Sequence, residues 1–127
     1  MLNKSHRFHG RGSLKFVYRF GQTLRGDSLS LKFKENPRRL TYRCAVIVSR
    51  KIDHSAVVRN RIRRRVYAEV RAQLNSVKTP YELVFTVTSG RVKDLPSPQL
   101  KSQISSLLKQ AKIIDRPVHD MIEQKET

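Results

Sequence analysis

Guanidinium groups are the densest chemistry in this chain. Ala56-Val57-Val58-Arg59-Asn60-Arg61-Ile62-Arg63-Arg64-Arg65-Val66-Tyr67 holds five arginines in seven residues, and no lysine falls between Arg59 and Arg71. A guanidinium offers a rigid fork of donors to phosphate oxygens and stacks on bases, which an ammonium does not. At about 100° per residue, Ile62, Val66 and Val70 share one helical stripe, with Leu74 at its edge. Asn60, Arg61, Arg64, Arg65 and Arg71 fall on the opposite half. Arg59 and Arg63 lie at the margin, where their stems can cover the rim of a core. The bland alternative is a solvated charged face. Like charges three and four positions apart weaken a helix unless something neutralises them, and Glu69 is the only acid in this one. A structured phosphate target is the better reading.

Residues for hydrolytic chemistry are scattered by comparison. Two-metal phosphoryl transfer needs carboxylates converging on ions about 4 Å apart. Asp27, Glu35, Asp53, Glu69, Glu82 and Asp94 are each isolated in sequence, while Asp120 and Glu123 could share a helix face near the end of the chain. Histidine acid-base pairs are the other route. His6 and His9 are close together, His54 falls in a turn and His119 near the C-terminus, and nothing orients any of them. The expectation is an RNA binder that supports chemistry done elsewhere, with no catalytic and no metal-binding residue of its own.

Composition agrees. Across 127 residues, 27 Lys and Arg against 10 Asp and Glu give a net charge of +17. Such a field attracts polyanions. The longest unbroken apolar run, Cys44 to Val48, is far short of the roughly 20 residues of a membrane span, and Met1 to Gly12 is basic with no apolar segment behind it, unlike a secretory signal. One cysteine, Cys44, excludes an intramolecular disulfide and a cysteine zinc cluster. A cytoplasmic protein without a membrane or an obligate protein partner is expected. Residues 115–127 carry four acids, two bases and Pro117, and read as an acidic, mobile tail behind a single RNA-binding domain at 1–114.

The elements that must position these groups follow from periodicity and punctuation. Ser13 can cap a short helix from Leu14 to Phe20, with Gly21 as its stop. Ser28 to Lys34 alternates: Leu29, Leu31 and Phe33 on one face, Ser28, Ser30, Lys32 and Lys34 on the other, a strand with one wet face. Asn36-Pro37 makes a turn. Thr41 to Ser49 is continuously apolar in its middle, as a central strand covered on both faces would be. Asp53 or Ser55 caps the basic helix, which runs from Ala56 to Leu74. Tyr81 to Thr88 is a further strand. Ser97-Pro98 is a cap with proline at the first helical position, and Leu100, Ile104, Leu107, Leu108 and Ala111 form the apolar stripe of a last helix. This order makes an α+β fold, an α/β sandwich around a small mixed sheet.

Val46-Ile47-Val48-Ser49-Arg50-Lys51 followed by Ala56-Val57-Val58-Arg59-Asn60-Arg61-Ile62-Arg63-Arg64 resembles the bacterial ribonuclease P protein family. That family shows a strand ending in Ser-Lys-Lys, a short turn, then Ala-Val-x-Arg-Asn-Arg, a hydrophobic residue, Lys or Arg, and Arg. Arg7-Phe8 and Ser13-Leu14-Lys15-Phe16-Val17-Tyr18-Arg19-Phe20-Gly21 are similar to its N-terminal Arg-Leu and Asp-Phe-x-x-Val-Phe-x-x-Gly. Residues 5 to 113 are covered. The chain departs in two places. Its turn Ile52-Asp53-His54-Ser55 is one residue longer, with Asp53 in place of a glycine, and Leu14 and Tyr18 stand where the family has phenylalanines. Tyr18 keeps the ability to stack.

The resemblance implies a protein subunit for a catalytic RNA that removes the 5′ leader of precursor tRNA, with magnesium ions held mainly by RNA. It implies binding of the RNA subunit through Arg50, Lys51, Arg59, Asn60, Arg61, Arg63, Arg64 and Arg65. The leader of precursor tRNA would lie between the sheet and the N-terminal helix, against Arg7, Leu14, Phe16 and Tyr18. It also implies a fold like the second domain of ribosomal protein S5, with a left-handed strand-helix-strand crossover.

Read from the residues alone, the two aromatic-bearing faces of the first helix stay open. Leu14 and Tyr18 share one face, Phe16 and Phe20 another, and one pair is expected to dock the helix on the sheet. A basic ribosomal protein would fit the composition equally well, and a DNA-binding architectural protein is a further rival. The strand-to-basic-helix motif favours the ribonuclease P resemblance over the first. The chain shows neither a helix-turn-helix nor a zipper for the second.

Overall fold

The computed structural model describes residues 11–38, 41–74 and 80–113. Arg7, the domain boundary at 114 and the acidic segment 115–127 lie outside them. Chain order is α1 (Arg11–Phe20), β1 (Gln22–Arg25), β2 (Leu29–Glu35), β3 (Arg43–Ile47), α2 (Ala56–Leu74), β4 (Tyr81–Val87), a 3-10 turn (Gly90–Asp94) and α3 (Ser97–Gln110). The strands form one sheet in the order β1-β2-β4-β3; β2 is antiparallel to β1 and β4, while β3 runs parallel to β4. The parallel pair makes β3-α2-β4 a crossover unit, which puts the basic helix on a sheet face.

One face of the sheet carries the core. Leu29, Leu31 and Phe33 of β2 and Leu83, Phe85 and Val87 of β4 are buried with Ile62, Val66, Val70 and Leu74 of α2 and Leu100, Ile104, Leu107 and Leu108 of α3. Both apolar stripes thus do what their periods require. The other face is covered only in part, by α1, which packs over β2 and β4. Its anchor is Val17, fully buried together with Val84 of β4.

Three expectations change. Thr41 to Ser49 is not a central strand: among the described residues β3 pairs only with β4 and lies at the sheet edge. Its apolar run is divided by the pleat, Cys44, Val46 and Val48 being buried while Arg43, Ala45 and Ile47 are half-exposed. The strand covered on both faces is β4, where residues 82–85 are all buried. The free edge of β3 leans on the helix, since Val46 N–H donates to the Tyr67 hydroxyl (3.2 Å). At α3 the cap position belongs to Pro96, whose carbonyl accepts from Gln99 and Leu100 N–H (3.0 and 3.1 Å), with Ser97 already helical. Pro98 then falls inside the first turn, where it is tolerated because those amides have no intrahelical acceptor. The first helix begins at Arg11, ahead of the expected Ser13 cap.

Two local details set the positions of the functional helices. Ser55 Oγ accepts from Val58 N–H (3.3 Å) and Asp53 Oδ1 from Ser55 N–H (2.9 Å), so Asp53 shapes the turn and Ser55 caps α2. Gly21 ends α1 by close approach. A Cβ there would lie 2.4 Å from the Val17 carbonyl oxygen and 2.9 Å from that of Phe33, so only glycine lets the helix end meet β2 at this distance.

Candidate nucleic-acid interface

The arginines of α2 divide by what they touch. Arg61 and Arg64 are exposed, with no hydrogen bond or ion pair among the described residues. Arg63 donates to Asn60 Oδ1, and these two residues line a cavity of about 400 Å³ with Arg64 and Tyr67, on the flank of α2 that faces the edge of β3. Arg59 turns back to donate to the carbonyls of Asp53 (3.0 Å) and His54 (2.8 Å), which pins the turn before the helix. That turn also carries the exposed Arg50 and Lys51.

Arg65, expected on the half opposite the apolar stripe, is half-exposed and engages the protein itself. Its guanidinium donates to the carbonyls of Val92 (2.7 Å), Lys93 (3.3 Å) and Leu95, closing the 3-10 turn against α2. Carbonyls at the end of a short helical turn, with lone pairs left over from the turn's own bonds, are strong acceptors for a cation, and they draw the side chain inward. Helical periodicity shows the half-circle a residue occupies; it does not show a neighbouring loop that supplies acceptors there.

α1 presents a second surface. Tyr18 is 46% and Phe20 56% exposed, Leu14 and Phe16 are half-buried, and Val17 is fully buried. Phe16, expected beside Leu14 and Tyr18 against the leader, instead falls on the opposite flank with Asn36, Arg38 and Arg43. Neither aromatic-bearing pair is buried whole, contrary to expectation: each has one half-buried member, Leu14 or Phe16, and the deepest contact of this helix with the sheet is made by Val17 between them. Lys32 Nζ stands 5.4 Å from the centroid of the Tyr18 ring. Register continues this surface across the sheet: Thr23, Lys32, Val84 and Ala45 form one row, and Arg25, Ser30, Thr86 and Ile47 the next, further from α1. Ser30, Lys32, Ala45, Ile47 and Thr86 are half-exposed. Tyr18 therefore borders a polar sheet face with a cation under its ring. Sequence reasoning missed Arg25, Thr86 and Ile47, although the wet face of β2 was visible in its alternation.

The acids are dispersed and several are engaged. Glu82 is buried and paired with Arg43, Asp27 pairs with Arg91 (3.2 Å), and Asp53 holds the turn before α2. No group of three His, Cys, Asp or Glu side chains that could hold a metal ion occurs among the described residues. Burial pushes the Cys44 thiol upward and keeps it protonated. No described helix is long and apolar enough to cross a membrane.

Fold and surface together define a small, strongly basic α+β sandwich with an arginine-faced crossover helix on one side of the sheet and a helix carrying exposed aromatic rings on the other. Solved structures of this architecture include the RNase P protein of Staphylococcus aureus (TM-score 0.77, 20% identity, 88% of this chain and 100% of that one). The RNase P protein of Thermotoga maritima is similar (TM-score 0.72, 18% identity, 87% and 98%). The family model Ribonuclease P matches residues 2–112. The ribonuclease P protein component of Chloroflexus aurantiacus is 34% identical over 121 residues, covering 95% of this chain and 88% of the relative. That of Clostridium novyi is 32% identical over 111 residues, covering 87% and 96%. The chain belongs to the ribonuclease P protein family.

Proposed function

We propose that this chain binds the catalytic RNA of ribonuclease P with the arginine face of α2 and the 5′ leader of precursor tRNA along the sheet beside α1. The observation that carries the reading is the division of labour in α2. Arg59 and Arg65 are spent on the protein, which leaves Arg61 and Arg64 directed outward, with Asn60 and Arg63 lining the cavity beside them. Arginines held on a rigid helix present their forks at fixed spacing, which suits folded RNA. On the other side of the sheet, Tyr18 and Lys32 supply a ring for an unpaired base and a charge for its phosphate.

Cleavage is assigned to the RNA subunit, with magnesium ions held mainly by RNA. The protein's part is to neutralise phosphates that would otherwise need more of the ion and to hold the leader. The test is precursor tRNA cleavage at low magnesium by a bacterial ribonuclease P RNA, with and without this protein, beside a control lacking RNA. Rescue that requires the RNA is the expected result. Cleavage by the protein alone, or no rescue with a matched RNA, would overturn the assignment.

A further inference from the structure

We infer that the flank of α1 facing away from Tyr18 is a second groove for single-stranded RNA, separate from the proposed leader surface. At about 100° per residue, Phe16 and Phe20 lie within roughly 40° of each other and nearly opposite Tyr18. Their ring centroids are 5.5 Å apart and tilted by 49°. Val17 pins the helix to the sheet between the two flanks, so rings on one side cannot swing to the other without undocking α1.

Two cavities run beneath this flank and share Glu35. One, of about 500 Å³, joins Phe16 to Asn36, Pro37, Arg38 and Arg43. The other, of about 270 Å³, joins Phe20 to Gln22, Lys34, Tyr81 and Lys112. Arg19 lies 5.3 Å from the Phe20 centroid. Arg19, Lys34, Arg38 and Lys112 thus surround two rings against one exposed acid, Glu35, since Glu82 is already paired with Arg43. Aromatic faces between cations suit a strand whose bases are unstacked and whose phosphates are close by. A duplex offers no free base faces, and an apolar peptide would leave the cations unmatched.

Lys112 adds a second observation. It sits just past the end of α3 with φ 60°, the left-handed backbone that glycine adopts freely, and the following Ile113 N–H closes the helix end on the Leu108 carbonyl (3.0 Å). A lysine here strains the backbone and puts an ammonium at the wall of the cavity.

The test uses the free full-length chain and a short labelled single-stranded oligoribonucleotide, read by anisotropy and by stoichiometry. In a Tyr18→Ala background, which disables the proposed leader surface, strand binding should persist. Adding Phe20→Ala should then weaken it about tenfold, the loss of one stacked base; Phe20 is more than half exposed and outside the core, so the fold is kept. Lys112→Gly should raise the melting temperature and still weaken binding, a combination that unfolding cannot produce. Unchanged binding in both variants, or equal binding of a duplex of the same sequence, would overturn the inference. Failure of the leader reading would show elsewhere, as precursor and mature tRNA losing affinity equally in Tyr18→Ala.

Discussion

Replacing Arg65 by alanine separates an arginine engaged with the protein from those proposed to bind RNA. The side chain gives three hydrogen bonds to the carbonyls of Val92, Lys93 and Leu95. Bonds from a charged donor contribute about 1.5–3 kcal/mol each where they are sheltered. This guanidinium is half-exposed, so water competes and the sum falls to about 2–4 kcal/mol, lost when the carbonyls of the turn lose their charged donor. Urea unfolding should show a lower midpoint with an unchanged slope. RNA-subunit binding, plotted as log K against log salt, should keep its slope. The double variant Arg61→Ala, Arg64→Ala should do the opposite. Its stability should change by no more than about 0.5 kcal/mol, as for exposed residues without partners. Its salt slope should fall by roughly 0.7–0.9 for each phosphate contact removed. Arg65→Lys keeps the charge and loses the fork, and should resemble Arg65→Ala in stability. A flattened salt slope with an unmoved unfolding midpoint in Arg65→Ala would refute the assignment of this residue to the protein's own turn.

Tyr18→Ala should weaken precursor tRNA more than mature tRNA, by about 1–3 kcal/mol, and titration of the holoenzyme with both RNAs checks it. Gly21→Ala should destabilise by about 1–3 kcal/mol, an overpacking cost, because the new Cβ meets two backbone oxygens that cannot move without shifting α1; calorimetry reads this directly, and an unchanged melting temperature would show that α1 adjusts freely. Burial above all pushes Tyr42 up to about 12, with Cys44 adding to the rise. The folded state thus holds this proton more tightly than the unfolded chain. Its contribution to stability is complete below about pH 10, the unfolded value, and is lost as pH rises towards 12. A tyrosinate titration in which every tyrosine ionises near 10 while the fold persists would contradict it.

Much of this architecture was legible because period and length together leave few alternatives. A spacing of four joins Ile62, Val66, Val70 and Leu74 on one helical stripe, a segment of 19 residues is too long for an ordinary strand, and the observed bounds of α2, Ala56–Leu74, coincide with the expected ones. The alternation of β2 likewise fixed its wet and dry faces. Illegible features depended on neighbours distant in sequence. Cys44 to Val48 and Leu83 to Phe85 are both continuous apolar runs, and nothing local says which lies at an edge and which in the middle. β1 has four residues and one apolar side chain, Leu24, too little for a period to register. Within the basic helix, charge and spacing made Arg61 and Arg65 equivalent, and only the carbonyls of residues 92–95, nearly thirty positions later, distinguish them.

That distinction bears on how a helix this basic stays folded without its RNA. Glu69 is the single acid along α2, so little within the helix itself offsets the repulsion among its arginines. Arg59 and Arg65 are held by neutral carbonyls instead, and Arg63 by the side chain of Asn60. A carbonyl stabilises the guanidinium locally and leaves its full charge in place, whereas an acid such as Asp27 cancels the charge of its partner Arg91. Charge therefore remains to attract a polyanion over the Debye length of about 8–10 Å, while the contacts that fix register fall to the few side chains left unspent. In the proposed complex, attraction and specificity are thus carried by different arginines of one helix, which the sequence alone presents as a uniform basic run.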